Sequence, residues 1–149
     1  MSIKGDKVEI SLDKRNVKGL VTDLYFLMEG DMREALADTE FGSIRPADGK
    51  VFMMISRQVI SLSEYAKRAG ISRQSIHKSL SRLVEFGVIE LVAAPNSKRD
   101  KVPVVTDKGR ELHSILFGIL QGIEQKHIEK VGEERFVAFK QTLVELTMN

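Results

Sequence analysis

Apolar positions recur with a helical period along most of this chain. From Asn16, the residues Val17, Leu20, Val21, Leu24, Leu27, Met28, Met32, Ala35 and Leu36 hold one phase. They predict a single amphipathic helix to about Thr39, weakened by roughly 1 kcal/mol at Gly30, which lies off the stripe. Before it, residues 1–15 carry no helical pattern, and "VEISL" alternates as a short strand does. "FGSIRPADGK" is a break, and Pro46 suits the first turn of a second helix with Val51, Phe52, Met54 and Ile55 inward. In "ISLSEYAKRAG", Ser61 and Glu64 form a capping box, Leu62, Tyr65, Ala66 and Ala69 make the contacts, and Gly70 ends the helix. Ser72 caps the next, whose stripe is Ile76, Leu80, Leu83 and Val84, and Gly87 stops it. Only Gly70, Ile71 and Ser72 join these two helices, which is helix-turn-helix spacing.

After Gly87 the period changes from helix to strand. "VIELVAAP" and "KVPVVT" read as two strands around a tip "NSKRDK", with Pro103 confining the second to an edge or bulge position. Thr106 caps a long helix carrying Leu112, Ile115, Leu116, Ile119, Leu120 and Ile123 to about Lys130. Gly132 separates it from a last helix with Phe136, Phe139, Leu143 and Leu146 on its stripe. The fold class is therefore mainly α with a small β-hairpin wing, a winged helix-turn-helix extended by helices at both ends. There is no internal repeat.

Charge sharpens this picture. The chain of 149 residues has a formal net charge of +2, but residues 60–110 carry ten basic and five acidic side chains, so the remainder is net acidic. A basic centre is the footprint of polyanion binding. A helix in the major groove meets a distinct donor and acceptor pattern at each base pair. Gln74, Ser75, His77 and Lys78, on the first turns of the helix after Ser72, are candidates for base edges, and Arg73 for guanine or phosphate. Arg73 and Arg82 are equally phosphate clamps or helix-surface ion pairs, Arg82 with Glu85 as one partner within reach. Ser72 with the helix N-terminus can hold a phosphate, and Lys98, Arg99 and Lys101 at the wing reach phosphates or the minor groove. A merely solvated polar face is the alternative for each, His77 above all.

The segment "LSEYAKRAGISRQSIHKSLSRL", the "GVIE" entry to the wing and "VTDKGREL" after it resemble the MarR-type family of winged-helix transcriptional regulators. The likeness spans Ile60 to Leu112, about a third of the chain; the flanking helices match in order and length. Where that family carries Asp-x-Arg near the wing tip, Ser97 stands at the Asp position and Arg99 keeps the arginine. The resemblance implies one domain over residues 1–149, with a DNA-binding lobe at 46–107 and dimerisation helices at 16–42 and 108–148. It implies an obligate homodimer reading a near-palindromic operator, most simply as a repressor. The apolar stripes of the first and last helices exceed what a small winged helix covers, which independently favours association.

Such regulators hold a small-molecule pocket between the dimerising helices and the DNA-binding lobe. Met28, Met32, Phe52, Met53 and Met54 are adaptable residues near that junction and are candidate contacts for a hydrophobic or phenolic effector, ordinary core packing being the alternative. Enzyme signatures are missing: there is no Gly-rich phosphate loop, Gly-x-Ser-x-Gly elbow or His-Glu-x-x-His. His113 and His127 lie about 21 Å apart along one helix, so they cannot share a metal within a chain. Zero cysteines exclude disulfides and thiol sensing. No catalysis, cofactor or membrane span is expected, and the location expected is the cytoplasm. The competing reading is a winged helix used as a protein-interaction or dimerisation module, which has no need for cations on both recognition helix and wing.

Overall fold

Side-chain caps set the helix boundaries. Asn16 Oδ1 accepts the Gly19 amide at 2.7 Å and opens α1, Val17–Ala37, which runs unbroken through Gly30. The computed structural model describes residues 2–5, 8–11, 15–58 and 61–148, the first two segments by backbone pairing only. Those two are strands β1, Ser2–Gly5, and β2, Val8–Ser11, paired antiparallel from Ser2↔Ser11 to Gly5↔Val8. The sequence pattern anticipated the second and missed the first; Leu12, the last residue of "VEISL", lies outside the described residues.

Beyond α1, the Thr39 hydroxyl donates to the Leu36 carbonyl at 2.7 Å, and the chain turns so that Phe41 drops into the interior 5.9 Å from the Phe86 ring. Pro46 occupies the first turn of α2, Pro46–Arg57. Ser61 Oγ accepts the Glu64 amide at 3.1 Å to open α3, Leu62–Ala69, and Glu64 in turn accepts from Arg68 Nε at 3.0 Å. Ser72 Oγ accepts the Ser75 amide at 3.1 Å to open α4, Arg73–Phe86. That helix ends at Gly87, whose φ of 89° lies where side chains with a Cβ are strained.

The wing follows at once, as β3, Ile89–Ala94, paired antiparallel with β4, Ser97–Val105. Only Pro95 and Asn96 form the turn, so β4 begins inside the expected tip. Pairing runs regularly from Ile89↔Val105 to Ala93↔Lys101 and then jumps to Ala94↔Ser97, so Lys98, Arg99 and Asp100 bulge from the ladder. At the base, Thr106 Oγ1 donates to the Gly87 carbonyl and accepts the Gly109 amide at 3.0 Å, starting α5, Asp107–Val131. Lys108 reaches back to the Phe86 carbonyl at 3.1 Å. The "GVIE" and "VTDKG" motifs are thus two halves of one latch. A last helix, α6, covers Glu133–Thr147.

The interior lies between α2, α3, α4, the wing base and the first half of α5. It is built from Phe41, Val51, Phe52, Ile55, Ala66, Ile76, Leu80, Leu83, Val88, Ile89, Leu112 and Leu116. Val84, expected on the buried stripe of α4, is exposed, and Ser79 is buried in its stead. By contrast α1 and α6 bury no residue fully. Both expose large apolar side chains: Val17, Val21, Phe26 and Leu27 on the one, Val137, Phe139, Leu143 and Leu146 on the other, while Met32 and Leu36 toward the end of α1 pack against the core.

Candidate nucleic-acid interface and internal cavity

On α4 the buried positions Ile76, Ser79, Leu80 and Leu83 leave a second face free, and Arg73, Gln74, Ser75, His77 and Lys78 are all exposed on it. Ser72 is engaged locally: its hydroxyl accepts the Ser75 amide and donates to Ser75 Oγ at 3.1 Å. On the wing, Lys98, Arg99 and Lys101 are exposed. Ser97 Oγ accepts the amides of both Arg99 and Asp100 at 3.2 Å, so a serine folds the bulge that presents Arg99.

Arg82 is placed differently from expectation. Its partner is neither Glu85 nor solvent but Asp48, on the first turn of α2. Arg82 Nε donates to Asp48 Oδ2 at 2.7 Å and Nη2 to Oδ1 at 2.9 Å, while Ser79 Oγ donates to Oδ1 at 2.7 Å. Asp48 is only 3% exposed, and no buried side-chain polar atom among the described residues lacks a partner. Burial pushes its pKa up, but hydrogen bonds from Arg82 and Ser79, with the charges of Arg82 and Arg45, overcome this and hold it below the ordinary carboxylate value. Arg82, its own pKa raised chiefly by the hydrogen bond to Asp48, therefore fastens α4 to α2. Sequence reasoning missed Asp48 because a first-turn aspartate reads as a solvated complement to the helix dipole.

A cavity of about 600 Å³ opens between α1, α2, α3 and α5. Met32, Met53 and Met54 line it. Phe52 does not: it is fully buried in the core on the opposite side of α2, and Met28 is half-buried on α1 without reaching the cavity. A helical period places residues on the inner side of an element but cannot separate core from cavity wall. Tyr25, Tyr65, Leu116 and a set of cations complete the lining. Among the described residues, no three His, Asp or Glu side chains converge as metal ligands, and no helix is long and apolar enough to cross a membrane.

No protein-family model matches this sequence, and no curated protein does. Solved structures do match. A mutant MarR from E. coli superposes with a TM-score of 0.72 at 19% identity, over 90% of this chain and 98% of that one. The MarR family protein Rv2887 of Mycobacterium tuberculosis, in complex with salicylic acid, gives 0.69 at 19% identity, over 91% and 99%. Bordetella bronchiseptica BpsR, whose DNA binding is regulated by 6-hydroxynicotinic acid, gives 0.67 at 17% identity, over 94% and 98%. At these identities the likeness establishes a fold. The chain has, nearly end to end, the winged-helix architecture of MarR-type transcriptional regulators.

Proposed function

We propose that this protein is a MarR-type transcriptional regulator that binds duplex DNA sequence-specifically as a homodimer, represses by occluding its operator, and is released by a small apolar or phenolic ligand. The observation that carries this reading is the division of the exposed surface. The recognition helix and wing together offer Arg73, Lys78, Lys98, Arg99 and Lys101 exposed and without an ion-pair partner among the described residues, whereas α1 and α6 offer large apolar side chains. Cations suit phosphate and base edges, and uncovered apolar stripes suit a second copy of the chain. Residues 46–107 then act as the DNA-binding lobe, and 16–42 with 108–148 as the dimerisation helices, in a cytoplasmic protein without catalysis or cofactor. In this reading Gln74, Ser75, His77 and Lys78 meet base edges, while Arg73 and the wing cations meet phosphates. Ser72 contributes through the helix N-terminus that it caps.

The test is selection of bound fragments from random duplex DNA, with sedimentation of the complex. Recovery of an inverted repeat, its half-sites about one helical turn apart and occupied by two chains, is the expected result. A single chain that ignores every duplex at low salt would leave the protein-interaction module as the better description.

A further inference from the structure

The C-terminal end of α4 abuts the start of α5. A helix end leaves its last carbonyls without partners inside the helix, and here the first residues of α5 supply donors from outside. Three successive carbonyls are engaged in this way. That of Phe86 accepts Lys108 Nζ at 3.1 Å, that of Gly87 accepts Thr106 Oγ1, and that of Val88 accepts the Thr106 amide at 3.2 Å. Gly109, buried in the same seam, leaves no room for a Cβ beside the Val88 carbonyl. The helix that presents the base-reading side chains is thus fastened directly to the long helix that leads out to α6.

Lys108 is the separable member of this joint. Thr106 also caps α5 and pairs through its backbone, so replacing it disturbs the helix start itself. Lys108 does neither. Its half-buried stem passes beside Gly87, and its Nζ lies 4.7 Å from the centre of the Phe86 ring. That ring in turn stands 5.9 Å from Phe41, which is fully buried in the core. A cation held between a carbonyl and a ring face at the negative end of a helix has three favourable interactions in one place. Lys98, Arg99 and Lys101 are exposed at the far end of the wing, whereas the Lys108 ammonium is turned to the end of α4.

We propose that Lys108 is a positioning residue that fixes the angle between α4 and α5, and through that angle the half-site spacing a dimer accepts, without touching DNA itself. This rests on the homodimeric DNA-binding reading above and assigns one of its specificities to a residue outside the interface. The lever is long. The 14 residues of α4 span about 20 Å, so a rotation of about 10° at the joint moves the far end by about 3.5 Å, close to the rise of one base pair. Base preference within a half-site belongs to the side chains on the first turns of α4, which such a rotation carries along unchanged. Spacing preference belongs to the joint.

The experiment takes the duplex recovered by the selection above and lengthens or shortens its half-site separation by one base pair. Affinities of the full-length protein are read by fluorescence anisotropy. The native protein is expected to lose about tenfold or more on each altered spacing, because its two heads no longer seat together. Lys108→Met, which keeps the stem and removes the ammonium, is expected to lose only about twofold. Base substitutions within a half-site should cost both proteins equally, and their salt slopes should agree. Lys108→Arg, which keeps a cationic donor, should restore the native spacing preference. Should Lys108→Met lose helix content, Lys108→Gln, which shortens the chain and removes the charge, takes its place. A second measurement needs no duplex: the chain has no cysteine, so Ser81→Cys, exposed on α4, accepts a single spin label. Pulsed electron resonance on the dimer should give one narrow distance between the two copies, broadened by Lys108→Met and narrowed again by Lys108→Arg. A spacing preference or a distance distribution that Lys108→Met leaves unchanged overturns the positioning role while leaving the regulator reading intact. A shallower salt slope in Lys108→Met overturns it in favour of a phosphate contact. A native chain that is monomeric and ignores every duplex overturns the regulator reading, and the role of Lys108 with it.

Discussion

The sharpest quantitative expectation concerns salt. The chain presents Arg73, Lys78, Lys98, Arg99 and Lys101 outward, whereas Arg82 is held by Asp48. If Arg73 and the three wing cations meet phosphates in a dimer while Lys78 meets a base edge, eight contacts give a slope of log K against log salt of about −7, at about 0.9 per phosphate. Removing one cation per protomer by Arg99→Ala then flattens the slope by about 1.8, because two copies lose one contact each; a single chain on the duplex would lose about 0.9. Arg82→Gln, despite removing the same charge, leaves the slope unchanged, since its guanidinium is already spent on α2. Anisotropy titrations across a range of potassium chloride, on one operator duplex, measure all three proteins. A slope change of 0.9 for Arg99→Ala would contradict two symmetric wings, and an equal change for Arg82→Gln would contradict its structural placement.

Three further expectations follow from the same geometry. A Cβ at Gly109 would lie 2.1 Å from the Val88 carbonyl oxygen and 2.6 Å from Val105 Cγ1, so Gly109→Ala should cost about 1–3 kcal/mol in urea melts, while Gly118→Ala, with nothing within 4 Å, should be neutral or stabilising. Because the folded-state pKa of Asp48 is lowered, its stabilising contribution is present above the unfolded value of about 3.9 and is lost as pH falls through the folded value. The stability gap between the native protein and Asp48→Asn should therefore narrow below about pH 4, and a gap constant with pH would refute this assignment. Leu143→Glu, at an exposed apolar position of α6, should convert dimer to monomer by sedimentation while leaving near-native helix content in circular dichroism, since α6 buries no side chain fully within its own chain.

Much of the architecture was legible because its signals are local. Asn16, Ser61, Ser72 and Thr106 all cap the helices that the sequence placed after them, and Gly70 and Gly87 end theirs in the left-handed conformation. What escaped was long-range or aperiodic. Phe41 lies in a turn, outside any stripe, yet is fully buried. Asp48 and Arg82 are 34 positions apart, and nothing in either neighbourhood announces the other. The wing tip was misjudged because turn-forming residues such as Asn96 and Ser97 mark a bend without saying whether the strand resumes at once or three residues later. A pocket at this junction was implied by the family resemblance and not by the methionines themselves, and its cations are scattered from α1 to α3 and meet only in three dimensions.

The bulge at Lys98, Arg99 and Asp100 has a consequence for how such a protein diversifies. The strand register near Ile89 and Val105 is clamped by Thr106 and Gly109, while the surplus residues are taken up at the far end, where no ladder constrains them. Additions, deletions and changes of sign can therefore accumulate there without disturbing the handle below. Affinity for a polyanion becomes adjustable by small steps, independently of the core that keeps the molecule folded.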